Sequence, residues 1–290
     1  MQTYQLITDS TADLSGDYYR THDVTVLPYT YIVNDVVYAD DPFHPADLHQ
    51  FYQAMREGSM PTTTNINQAA IAQAVIPYFE AGQDVVYIVF SSGLTSTYQF
   101  ALATKTMLEE QYPERTLYVV DSVSASVGQG VLVKHAVVMR DQGLSAQALV
   151  DDLNTFKYKI NHWITVADLD HLRRGGRISA TTATFGKMLS IKPIINVDDH
   201  GRLINVEKAN GRKKSVRHLI KRVQEMGENL LQQQPLHIVH GDCLEEAERF
   251  AALVKEATGV QDIEISYLGP VIGAHTGPDM MAIVFLGEHR

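Results

Sequence analysis

Val85-Val86-Tyr87-Ile88-Val89-Phe90, followed at once by Ser91-Ser92-Gly93-Leu94-Thr95-Ser96-Thr97, decides how this chain folds. An unbroken apolar run of this length, with no polar alternation, suits a strand covered on both faces in the middle of a parallel sheet. A helical stretch follows through Tyr98, Leu102 and Leu108, and Leu117-Tyr118-Val119-Val120 then repeats the strand pattern. Working outward, Leu6-Ile7 leads into the polar loop Thr8-Asp9-Ser10-Thr11, and Val24 to Val33 is β-rich. Asn34-Asp35 before Val36-Val37-Tyr38 has the form of a hairpin. Leu48, Phe51, Tyr52 and Met55 recur at i, i+3, i+4 and i+7, the spacing of an amphipathic helix. Asn67 is placed to cap a helix with Ile71, Val75 and Phe79 on its apolar stripe, and a further helix runs from Ser126 to Arg140, ending at Gly143. Strands alternating with helices define a parallel-sheet α/β domain.

The second half has a different rhythm. Strand-like stretches fall at Trp163-Ile164-Thr165-Val166, Pro193 to Val197, Leu203 to Val206, Leu236 to His240, Ile263 to Tyr267 and Ala282 to Leu286. Asp198-Asp199-His200-Gly201 is a hairpin turn between two of them, and long helices are expected near 215–233 and 244–257. The sequence therefore divides into an N-terminal α/β domain, 1–157, and a C-terminal α+β domain, 158–290, with a largely antiparallel or mixed sheet.

Composition narrows the function. The chain of 290 residues is 45% hydrophobic and 20% charged, a globular balance, and its formal net charge of −10 disfavours a general grip on nucleic acid. A single cysteine, Cys243, excludes an intramolecular disulfide framework and a Cys-rich zinc site. No apolar run approaches the ~18–20 residues of a membrane span, and Met1-Gln2-Thr3-Tyr4 lacks the start of a signal peptide, so a cytoplasmic protein is expected. G-x-x-x-x-G-K-[ST], G-x-S-x-G and H-E-x-x-H are all missing. Gly128-x-Gly130 lacks the third glycine of a dinucleotide fingerprint, and His237 and His240 would face opposite sides of a strand.

Hydroxyl-rich loops remain: Thr8 to Thr11, Ser91 to Thr97, Asp121-Ser122-Val123-Ser124, and Pro61-Thr62-Thr63-Thr64-Asn65. Ligands of parallel α/β sheets bind at the carboxyl ends of the strands, and hydroxyls with helix N-termini supply uncharged donors for a carboxylate or phosphate. Helix capping is the competing use of the same residues. Gly269 to Pro278 sets two Gly-Pro pairs around His275, and Leu172-Arg173-Arg174-Gly175-Gly176-Arg177-Ile178-Ser179 is the one dense basic stretch, suited to an anion or an acidic partner.

These segments together resemble the DegV-type fatty-acid-binding proteins, which include the lipid-binding (FakB) subunits of bacterial fatty acid kinase. The resemblance runs along nearly the whole chain, through Ile7 to Leu14, Pro61 to Asn65, Ser91 to Tyr98, Asp121-Ser122, Leu172 to Ser179, Ile191-Lys192-Pro193-Ile194 and Gly273 to Gly277. It implies two domains holding a long-chain fatty acid such as palmitate between them, no cofactor or metal, and no catalysis by the chain alone. It further implies presentation of the acid to a separate ATP-dependent kinase subunit. Residue by residue, it implies carboxylate contacts at Thr63, Thr95 and His275, with Ser92 beside them, and a partner contact at Arg173. Thr95 stands where the family commonly has serine. The threonine loop continues Thr64-Asn65-Ile66 where Ser-Gln-Pro is usual, and Asn210-Gly211 stands where Arg-Thr is frequent, a change that bears on kinase coupling.

The chemistry is coherent. Burying about fourteen methylenes contributes on the order of 10 kcal/mol at ~0.8 per CH₂, before association costs. Hydroxyls and one histidine would hold the head with little fixed charge, leaving the carboxylate nucleophilic. The alternative is a stand-alone hydrolase or phosphotransferase using the same loops, with His275 or Asp9 as base. A sensor with a protein partner would use the same lipid site.

Overall fold

The computed structural model describes residues 4–167, 169–178, 191–227, 229 and 235–290. Its first half opens with β1 (Tyr4–Asp9), α1 (Gly16–Thr21) and β2 (Val24–Leu27). A small excursion follows: β3 (Thr30–Val33), β4 (Val36–Ala39), α2 (Leu48–Arg56) and β5 (Thr62–Thr64). The chain then returns through α3 (Gln68–Glu80), β6 (Asp84–Val89), α4 (Thr97–Gln111), β7 (Leu117–Asp121), α5 (Val127–Asp141) and α6 (Ala146–Phe156). Four strands pair in the order β2-β1-β6-β7, all parallel, so β6 lies inside the sheet with both faces covered. That burial is why Val85 to Val89 carries no polar residue.

The β-rich stretch Val24 to Val33 is two strands, because the chain leaves the parallel sheet between them. β3 instead joins an antiparallel sheet ordered β4-β3-β5, with Tyr31 opposite Thr63. The threonine segment expected as a loop is thus a short edge strand, consistent with the β-branched character of threonine. Expected helix starts hold where a side chain can cap: Asn67 Oδ1 accepts from the Ala70 N–H at 2.9 Å.

The second half contains β8 (Ile160–Thr165), α7 (Asp170–Arg174), β9 (Ile191–Val197), β10 (Leu203–Asn210), α8 (Arg212–Met226) and β11 (Leu236–His240). It closes with α9 (Leu244–Thr258), β12 (Ile263–Tyr267), α10 (Pro270–Thr276) and β13 (Met281–Leu286). Six strands form a mixed sheet, β10-β9-β8-β13-β11-β12, antiparallel except for β11 with β12. Period-two alternation divides its side chains between two faces. Trp163, Ile194, Ile238 and Ile283 pack outward with Leu219 and Phe250 of α8 and α9. Ile164, Ile195, Val239 and Val284 point inward, into a core shared with Val127 and Val131 of α5. Arg290 joins the halves: its guanidinium donates to the carbonyls of Val123 (2.7 Å), Lys157 (2.9 Å), Asp198 (3.0 Å) and Ile160 (3.0 Å).

Candidate functional site

Two adjoining chambers lie between the halves. The first, of about 430 Å³, is bordered by Thr63, Asn65, Thr95, Tyr29, Arg177 and His275 among others. The second, of about 530 Å³, is walled by the inward face of the six-stranded sheet, with Ile164, Ile195, Val239, Ala282 and Val284. Leu94, Leu172, Leu203, Ile272 and Thr276 border both, so the chambers adjoin.

The polar chamber is assembled from segments far apart in sequence. Thr63 comes from β5, and its Oγ1 lies 2.8 Å from Nε2 of His275 on α10. Within Gly269 to Pro278, residues Pro270–Thr276 form α10, with Pro270 in its first turn, where no amide donor is needed. Thr95 sits in the loop between β6 and α4. Its hydroxyl donates to Asn65 Oδ1 at 2.9 Å and lies 3.2 Å from the Tyr29 hydroxyl, which donates in turn to Thr97 at 2.7 Å. Ser96, before α4, makes no side-chain cap bond, but Thr95 Oγ1 accepts from the Thr97 N–H at 3.2 Å, so capping accounts for part of this loop's hydroxyl chemistry.

The other two hydroxyl loops are satisfied internally. Thr8 donates to the Ile88 carbonyl, and the Ser122 hydroxyl donates to the Ser124 carbonyl. Thr11 contacts Asp9 and Gln129. Hydroxyl clustering alone therefore overstated the extent of the anion site. Gly128 and Gly130 have a packing role: a Cβ at Gly128 would lie 1.9 Å from His162 Nε2, and one at Gly130 would lie 2.7 Å from the Ala12 carbonyl.

Burial, reinforced by the positive charges of Arg177 and Arg174, pulls His275 down to about 4. The imidazole is therefore neutral near pH 7. Gly175 lets the ring approach: a Cβ there would lie 2.3 Å from His275 Nδ1. His162, in the wall of the apolar chamber, is pushed by burial to about 3 and is also neutral.

Arg177 changes the expected electrostatics. Its guanidinium is half-buried at the edge of the polar chamber, where its Nε donates to the Leu94 carbonyl at 3.1 Å and its Nη1 to the Gly175 carbonyl. Sequence reasoning singled out the basic stretch but missed this arginine, together with Tyr29 and Asn65. The turn at Gly176, with φ +72°, carries the chain back toward the chamber. Ser92 lines neither chamber; its backbone N–H donates to Asp121 Oδ1 at 3.0 Å. Arg173 is exposed and pairs with Asp170 at 3.3 Å, outside the chambers. Ser179, at the end of the basic stretch, lies outside the described residues. Cys243 is held as a thiol, its pKa pushed up to about 11 by burial.

Fold and site define a mixed α/β protein with two adjoining chambers between its halves, one bearing hydroxyls, an imidazole and a guanidinium and the other walled by aliphatic side chains. The chain belongs to the DegV family: the family model described as "Uncharacterised protein, DegV family" matches residues 3–288. It is 38% identical to a DegV domain-containing protein of Clostridium perfringens, covering 100% of this chain and 99% of that one. A fatty acid binding DegV family protein from Streptococcus agalactiae superposes with a TM-score of 0.87 at 27% identity, covering 100% of both chains. A stearic acid-binding protein from Eubacterium ventriosum superposes with a TM-score of 0.82 at 26% identity, over 97% of this chain and 98% of that one. Among the described residues, no helix is long and apolar enough to cross a membrane.

Proposed function

We propose that this chain binds a long-chain fatty acid of palmitate size and presents its carboxylate to a separate ATP-dependent kinase subunit. The supporting observation is the junction of a chamber bearing hydroxyls, a neutral imidazole and a guanidinium with one walled by aliphatic side chains. The named ligands of the Streptococcus and Eubacterium proteins support the same class of ligand. Thr63 pairs with His275, and Thr95 donates to Asn65. A carboxylate entering between them exchanges neutral hydrogen bonds for charge-assisted ones, which are roughly twice as strong. In the partner's reaction, a carboxylate oxygen attacks the γ-phosphorus of ATP, forming the acyl phosphate and releasing ADP. Arg173, exposed beside the chamber region, is the proposed partner contact. The chain itself supplies no catalytic group, cofactor or metal in this reading.

One observation favours the alternative of a stand-alone hydrolase: the hydroxyl of Thr63 lies 2.8 Å from an imidazole nitrogen, as in a nucleophile–base pair. Two features oppose it. His275 is pulled to about 4, too weak a base for neutral pH, and its Nδ1 packs on Gly175. Palmitate titration of the delipidated wild type and Thr63→Val separates these readings. The proposal expects roughly 10–100-fold weaker binding in the variant, since hydrogen bonds to charged groups are worth ~1.5–3 kcal/mol. Hydrolysis of p-nitrophenyl palmitate by the wild type, abolished in the variant, would establish the hydrolase.

A further inference from the structure

The geometry points to the cleft between α8 and α9 as a docking groove for an acidic amphipathic helix of a partner protein. This cleft lies on the outward face of the six-stranded sheet, opposite the two chambers, and is open to solvent. Arg212, Lys213, Val216, Arg217 and Ile220 line it from α8, and Glu246, Arg249, Phe250 and Leu253 from α9, both at helical spacing. Met281 of β13 forms part of the floor. Two helices of a sheet layer would ordinarily close over such a floor. Here they leave Leu253 44% exposed beside buried Phe250 and Ile220.

Charge selects the occupant. The groove carries Arg212, Lys213, Arg217 and Arg249 against Glu246, in a chain whose net charge is −10. Arg212 is paired with Glu246 at 2.9 Å across the groove, and Arg249 with Glu245 at 3.6 Å on its rim. Lys213 and Arg217 are exposed and enter no ion pair among the described residues. Exposed Leu253 and half-buried Val216, set between rim cations, complement a helix bearing an apolar stripe flanked by glutamates, the helix-in-groove mode of recognition. The α8 residues from 212 to 220 span ~12 Å at ~1.5 Å per residue, enough for two turns of the incoming helix. Concavity favours such a helix over a lipid surface, whose flat face would leave the floor unfilled.

The test uses the full chain and a fluorescein-labelled synthetic helix of about eighteen residues, Leu at i, i+3, i+4 and i+7 with flanking Glu. Anisotropy should report micromolar binding, weakened at least tenfold in Lys213→Glu/Arg217→Glu and in Leu253→Glu, and weakened by added salt. Retained palmitate binding in both variants shows that they are folded. A peptide with Lys flanks binding as tightly, or no binding of the Glu peptide, overturns the proposal. Stronger association with phosphatidylglycerol vesicles than with the peptide overturns it in favour of a lipid surface. Dimerisation of the wild type that the charge reversals abolish overturns it in favour of a second copy.

Discussion

At the scale of single residues, His275 carries the most specific consequence. Its imidazole is neutral at pH 7 because burial and the Arg177 and Arg174 charges pull its pKa to about 4. A bound carboxylate 3 Å away or so supplies the opposite charge and raises it. A group whose pKa is higher in the complex than in the free protein takes up a proton on binding. Affinity therefore strengthens as pH falls through the bound-state value and levels off near the free-state value. Calorimetric titration of palmitate in two buffers of different ionisation enthalpy, at about pH 6, should show proton uptake that His275→Asn removes. Proton release, or uptake unchanged in the variant, would contradict this. Thr63, Thr95 and His275 could be picked out from sequence because each sits in a segment with a recognisable motif, and the structure gathers all three around one chamber. Arg177 could not, since three arginines within Arg173 to Arg177 look alike until the turn at Gly176 separates their directions. Ser92 shares its loop with Thr95, but the backbone there brings Leu94 and Thr95 to the chamber instead.

At the scale of elements, the site depends on how closely α7 approaches α10. Gly175 adopts ordinary helical angles, φ −69° and ψ −11°, so alanine costs the backbone little there. Its Cβ would nonetheless meet His275 Nδ1 at 2.3 Å and displace the ring from Thr63. Gly175→Ala should therefore weaken palmitate binding about tenfold or more, near the ~1–3 kcal/mol of overpacking. Gly176→Ala is the contrast: its φ is +72° and nothing lies within 4 Å, so stability should fall while affinity holds. Equal affinity loss in both variants, measured by titration after thermal melts, would contradict the role given to Gly175. The parallel strands were legible because burial on both faces writes continuous apolar runs. β5 was not, since Thr62 to Thr64 has neither a run nor an alternation, and its strand form depends on pairing with β3.

At the scale of the whole molecule, the apolar stripe and run patterns foretold the parallel and mixed sheets, while the chamber between them required the third dimension. Buried carboxyls lie where the first strand meets that junction. Burial pushes Asp13 up to about 8, Asp40 to about 7 and Asp9 to about 6. The folded state thus binds more protons than the unfolded chain, and stability falls as pH rises through these values. His162, His237 and His275, depressed by burial to about 3, 4 and 4, act oppositely below their ordinary range. Denaturant unfolding should show stability greater by roughly 2 kcal/mol at about pH 6.5 than at pH 8, levelling off at lower pH. A profile still rising from pH 6.5 to 8 would contradict the buried protons. The central claim, that the two chambers are one fatty-acid site, is tested most directly by native mass spectrometry of the protein purified from its own host. The account expects a bound species of fatty-acid mass at one per chain, removed by delipidation and restored by palmitate. A chain that is empty as purified and remains empty with excess palmitate would contradict it.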